Sequence, residues 1–115
     1  MNLQIELEHS DEIQKFLCIL NVGMLDALLN GALTLEDAYA YFYRPYVAQL
    51  LEQNNANKEI VELFEECCML EDIRDIVPEK LQDTLTLKKQ ETLNLLKSLP
   101  TTEKSVYWLE NFDDK

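Results

Sequence analysis

The sequence predicts an all-α domain, a compact bundle of about five helices, and three observations predict it. The first is periodicity. In Leu35–Leu51, LEDAYAYFYRPYVAQLL, the residues Leu35, Ala38, Tyr39, Phe42 and Tyr46 recur on one stripe of a helical wheel. The second is punctuation, because 2 glycines and 3 prolines in 115 residues leave too few turn signals for an all-β fold. The third is composition. With 47% hydrophobic and 28% charged residues the chain reads as globular, and residues 1–115 suffice for one domain with a core that needs no staples.

The aromatic stripe is the expected hub. Tyr39, Tyr41, Phe42, Tyr43 and Tyr46 are half of the chain's aromatic residues, and each such side chain buries ~150–250 Å². On the wheel Tyr41 points away from the stripe and Tyr43 flanks it.

In chain order, Leu3, Ile5 and Leu7 alternate with Gln4, Glu6 and Glu8, the period of a half-buried strand. Such a strand pairs with the C-terminal VYWLENF, pairs with a second chain, or frays. Ser10 is placed to cap a helix that opens with Asp11 and Glu12. Ile13, Phe16, Leu17, Leu20, Met24 and Ala27 share one face of it, and Cys18, Ile19, Leu25 and Leu29 lie elsewhere, so the helix is apolar nearly all round. A helix of that kind is central or gives its second face to a partner subunit. Gly23 at mid-helix costs ~1 kcal/mol against Ala, which suggests a backbone crossing close by. Asn30-Gly31 ends the helix, with Gly31 suited to a left-handed cap.

Thr34 opens the hub helix, with Asp37 three residues on as a near-miss of the capping box, in which Glu or Gln is preferred. Pro45 divides the hub into segments of about 35–43 and 45–53 that meet at a bend. QNNAN (53–57) is a loop, and Asn57 caps a helix from Lys58 to about Leu70 whose inner face is Ile60, Leu63, Phe64 and Cys67. Continuing that wheel would bury Glu71 unpaired, so the helix ends or shifts phase near Leu70 and Glu71 or Asp72 caps a short turn before Pro78. A last long helix, about 79–98, carries a seam of Leu81, Leu85, Thr92, Leu96 and Leu99. Residues 59–83 hold nine acids against two bases, and residues 84–104 carry Lys88, Lys89, Lys97 and Lys104 against two acids, so these two helices are expected side by side. Trp108, Leu109 and Phe112 of the tail need a packing surface in either helical or extended form.

A net charge of −12 argues against nucleic acid and anionic membrane as partners, since phosphate recognition needs clustered Lys and Arg. The start, MNLQIELEHSDE, has no basic segment followed by an apolar core and reads as no signal peptide. The most apolar run, Phe16–Leu29, is interrupted by Asn21 and Asp26 and is short of the ~20 residues that span a bilayer. Cys18, Cys67 and Cys68, odd in number with two adjacent, read as small core residues in a reducing, cytoplasmic compartment.

Catalytic chemistry finds little support. One histidine, His9, excludes the paired Glu-x-x-His pattern of di-iron bundles, and no C-x-x-C accompanies it for zinc. No G-x-S-x-G, phosphate-cradling glycine loop or EF-hand spacing is present. The expectation is therefore no enzyme, no cofactor and no metal. The residues that stand above background are candidate partner contacts: Tyr41, Tyr43 and Arg44 at the bend, of types enriched at interface hot spots, and Glu71 and Asp72 at the phase break.

Gly23-Met24-Leu25-Asp26-Ala27-Leu28-Leu29-Asn30-Gly31, Glu36-Asp37-Ala38, Arg44-Pro45-Tyr46, Leu70-Glu71-Asp72 and Ile76-Val77-Pro78-Glu79-Lys80-Leu81 together resemble a family of short bacterial proteins classed only as a domain of unknown function. The resemblance covers about residues 10–99. It implies a bacterial, cytoplasmic protein and transfers no activity or site residue. The function expected from all of this is a non-enzymatic protein-binding module, with a protein partner or a second copy in a homodimer. The alternative is an acidic, immunity-type inhibitor of a basic toxin or other basic protein.

Overall fold

The computed structural model describes residues 2–5, 7–100 and 111–113. Among them lie two short strands, β1 (Asn2–Gln4) and β2 (Asn111–Asp113), and six α-helices: α1 (Ser10–Leu29), α2 (Leu35–Tyr41), α3 (Pro45–Gln53), α4 (Lys58–Cys67), α5 (Leu70–Ile76) and α6 (Leu81–Ser98). A 3₁₀ turn, Pro78–Lys80, leads into α6. The class is the expected all-α bundle. The strands pair antiparallel with Leu3 opposite Phe112, which is one of the arrangements the alternation at the start allowed. The packing surface sought by Trp108 and Leu109 concerns residues outside those described.

Local chemistry sets most of the boundaries. α1 ends in a Schellman motif, with Ala32 N–H donating to Ala27 O at 2.8 Å, Gly31 N–H donating to Leu28 O at 3.3 Å, and Gly31 at φ 70°. The capping box of α2 is complete although Asp stands where Glu is preferred. Asp37 N–H donates to Thr34 Oγ1 at 3.2 Å, and Thr34 N–H donates to Asp37 Oδ2 at 3.1 Å. Pro45 is the first residue of α3, where its missing N–H costs nothing. The phase shift expected near Leu70 falls at Cys68–Met69, which leaves the segment beyond it as a two-turn helix.

Other local expectations are corrected. α1 begins at Ser10 with His9 in the cap position, and Ser10 Oγ instead accepts from Gln14 Nε2 at 3.1 Å. Asn57 precedes α4 without a side-chain cap; its N–H donates to Gln14 Oε1 at 2.9 Å. Met69 holds the cap position of α5, so Glu71 and Asp72 lie in the first turn. Among the described residues nothing crosses Gly23: a Cβ built there meets none of their atoms within 4 Å outside its own stretch of helix.

α1 and α6 form the most extensive helix pair. They run antiparallel, because Asn21 reaches Thr92 while Asp26, further along α1, reaches Lys89, earlier in α6. α4 packs against both α3 and α6, bearing out the expected neighbourhood of the acidic and lysine-bearing segments. The face of α1 turned into the core is Gln14, Cys18, Asn21, Leu25 and Leu28, not the all-apolar stripe, and Leu20 is exposed. Gln14 and Asn21 are polar, yet both are buried here with hydrogen bonds made.

The hub is corrected in the same way. Leu35, Ala38 and Phe42 are buried as expected and Tyr41 is exposed, but Tyr46 is 59% exposed and Tyr43 is 1% exposed. The break at residues 42–44 resets the helical phase. One wheel drawn through it therefore misplaces everything after Phe42. Tyr43 takes the core position from the non-helical link, edge-on to Tyr39 at 6.1 Å between ring centroids, and Phe42 stands edge-on to Phe64 at 5.3 Å.

Candidate functional site

Two arrangements stand out, a polar node in the core and an apolar groove beside it. The node forms where α1, α4, α6 and the α2–α3 link meet. Tyr43 Oη donates to Asn21 Oδ1 at 2.6 Å, Asn21 Nδ2 donates to Thr92 Oγ1 at 2.9 Å, and Thr92 donates to the Lys88 carbonyl at 2.7 Å. Cys67 Sγ lies 3.9 Å from Asn21 Nδ2. Burial pushes the Cys67 thiol up to about 12 and the Cys18 thiol up to about 11, and it pushes the Tyr43 phenol far above its ordinary range. These groups are neutral at physiological pH, so the node holds packing in register and offers no activated nucleophile.

A second tyrosine links α2 to the α4–α5 break. Tyr39 Oη donates to Cys68 O at 2.6 Å and accepts from Glu71 N–H at 3.0 Å. Arg74 pairs with Glu36 across the same seam. Its hydrogen bond to Glu36 and then that to Asp75 hold the guanidinium above its usual range. Glu36 is held below the usual carboxylate range, first by a backbone N–H and then by Arg74.

The five candidate contacts are not brought into one site. Tyr41 and Arg44 are exposed at the bend, and Asp72 is exposed on α5. Glu71 is half-buried, with Arg74 Nη2 4.0 Å from its carboxylate. Tyr43 leaves the set, because its ring and hydroxyl are spent inside the core.

The groove lies between the first half of α1 and α3, with a volume of about 600 Å³. Leu17 and Val47 line it half-buried, Leu51 is buried, and Leu50 is 39% exposed. Its polar lining includes Gln14, whose side-chain amide is already bonded to Ser10 and to Asn57 N–H. Sequence reasoning named α1 as apolar on more than one side but did not find this groove, since its walls lie some thirty residues apart in the chain. Of the apolar residues elsewhere on α1 that could serve a partner subunit, Cys18 and Leu25 are fully buried and Leu29 packs on the core, while Ile19 is exposed.

A smaller cleft of about 280 Å³ separates α4 from α6, with Glu59, Glu62, Glu66 and Glu91 in its lining. Lys88, 8% exposed, bonds Glu66 and, at 3.2 Å, Glu91. Burial opposes the charge of Lys88, but those two bonds outweigh it and hold the ammonium above its usual range. Among the described residues no group of three His, Cys, Asp or Glu side chains is placed to hold a metal ion. No helix among them is long and apolar enough to cross a membrane.

A family described as "Protein of unknown function (DUF3969)" matches residues 8–110, a wider span than the quoted motifs covered. No curated protein and no solved structure matches the chain.

Proposed function

The chain belongs to the DUF3969 family of proteins of unknown function, and we propose that it works without catalysis, as a protein-binding module whose contact surface is the groove between α1 and α3. The observation that carries this reading is the groove itself. It is about 600 Å³ of largely apolar concavity with Leu50 open to solvent in its wall. Concave apolar surface of this size on a small domain is characteristic of binding sites. A cytoplasmic setting belongs to the same proposal, supported by free thiols at Cys18, Cys67 and Cys68, and a bacterial source is what the resemblance of the quoted motifs implies.

The test is affinity capture from cells of the source organism with the full chain and with Leu50→Asp as parallel baits. Mass spectrometry of the eluates is followed by a binding titration with the purified partner. The expected result is a partner retained by the natural chain and lost by the variant, with the titration reproducing the loss. Identical eluates from the two baits would overturn the reading.

A further inference from the structure

The groove has a direction. Asn57 N–H, beyond the end of α3, meets Gln14 near the start of α1, and Tyr43, before the start of α3, meets Asn21. α1 and α3 therefore run antiparallel, and the two helices carry the groove toward the same end. There Leu20, one turn beyond Phe16, is 42% exposed, and Tyr46, one turn before Leu50, is 59% exposed. From Ser10 to Leu17 the wall rises roughly 10 Å at 1.5 Å per residue, the length of two helical turns. A slot of that length between two helices suits a third helix presenting apolar anchors at i, i+3 or i+4, and i+7. The lining has no buried side-chain nitrogen or oxygen lacking a partner, among the described residues, so it does not call for a small polar ligand.

Charge decides among helical occupants. Glu8 forms part of the wall, and Asp11 and Glu52 are exposed on the adjoining turns. The cations nearby in the chain are Arg44, exposed at the Tyr46 end, Lys15, between the lining residues Gln14 and Phe16, and Lys58, exposed just after Asn57, so the balance rests on the excess of acids over the whole chain. A second copy would bring another net −12 against this one, whereas a cationic helix gains attraction and encounter rate. Resting on the binding-module reading above, we infer that the occupant is a cationic amphipathic helix of a partner protein. Its apolar stripe lies against Leu17, Val47 and Leu50, and its lysine or arginine flanks face the Glu8–Asp11 end.

Two synthetic 18-residue peptides test this on the full chain. Both carry leucine at the i, i+3, i+4, i+7 positions; one has lysine elsewhere and the other glutamate. Isothermal titration and amide NMR shifts are followed for the natural chain, Leu50→Asp and Tyr46→Asp, with circular dichroism confirming that each variant folds. Expected is saturable binding of the lysine peptide with shifts centred on Leu17, Val47 and Leu50. Its affinity falls at least tenfold in Leu50→Asp and at least threefold in Tyr46→Asp, and the glutamate peptide binds at least tenfold more weakly.

Because each variant adds a negative charge, attraction to acidity alone would leave binding unchanged or tighter, and that result overturns the inference. Equal affinity for the two peptides also overturns it, as does a concentration-dependent dimer of the natural chain that Leu50→Asp abolishes. If the lysine peptide fails while Leu50-dependent capture of a partner persists, the partner chemistry falls and the module reading stands.

Discussion

Tyr43 Oη sits 2.6 Å from Asn21 Oδ1, a hydrogen bond between two side chains that are both buried. It fixes the non-helical link after α2 to the middle of α1. The same amide passes the connection to Thr92 of α6, so one asparagine holds three elements in register. An apolar core tolerates sliding of one helix past another, while a closed chain of buried polar groups is satisfied in one arrangement.

Tyr43→Phe removes the donor, keeps the ring and leaves Asn21 Oδ1 buried and unpaired. The expected cost is about 1–3 kcal/mol of unfolding free energy. A double-mutant cycle with Asn21→Leu is expected to show a coupling of about 0.5–3 kcal/mol, because the second substitution removes the acceptor that the first orphans. Urea denaturation followed by circular dichroism measures both. An unchanged midpoint for Tyr43→Phe would mean that the network contributes nothing to stability.

The same two residues mark what could be read from the sequence. Features governed by a few neighbouring residues were legible: the Gly31 cap, the Thr34–Asp37 box, the break at Pro45 and the phase shift demanded by Glu71. Each follows from backbone chemistry within one turn. Tyr43 and Tyr46 exchanged roles because a wheel has no meaning across a break, and nothing local reports the angle at which α3 resumes. The burial of Gln14 and Asn21 has no local signal, because their partners, Asn57 and Tyr43, are far away in sequence. Of the candidate site, the surplus of apolar faces on α1 was legible. The groove was not, since it exists only once α3 lies alongside.

The two glycines are expected to respond with opposite sign. Gly23 is exposed in the interior of α1, with no atom of the described residues outside its own stretch of helix within 4 Å of a Cβ built on it. Gly23→Ala should therefore stabilise by about 0.4–1 kcal/mol, through the better helix propensity and the smaller freedom of the unfolded chain. Gly31 holds φ 70° in the cap of the same helix, a conformation that burdens any L side chain. Gly31→Ala should destabilise by about 1 kcal/mol. Thermal unfolding of the pair decides: a loss of stability in Gly23→Ala would show that the open space at that position is filled.

The buried thiols contribute to the alkaline limit, alongside the buried Tyr43 phenol. Burial raises Cys18 from its ordinary 9.0 to about 11 and Cys67 from 9.0 to about 12, the latter against an opposing hydrogen bond from Asn21. Each native thiol therefore holds its proton more tightly than the unfolded chain does. Their contribution is fully present below about pH 9 and is lost as pH rises toward 11 and 12. At pH 10 the loss is about 1.4 kcal/mol for each thiol, one unit beyond the unfolded value. Cys18→Ala/Cys67→Ala should be less stable than the natural chain at pH 8, through lost packing. Its further fall between pH 8 and pH 10 should be smaller by about 2–3 kcal/mol. Urea unfolding of both proteins at the two pH values measures the difference. Equal falls would show that the alkaline sensitivity originates in groups other than these two thiols.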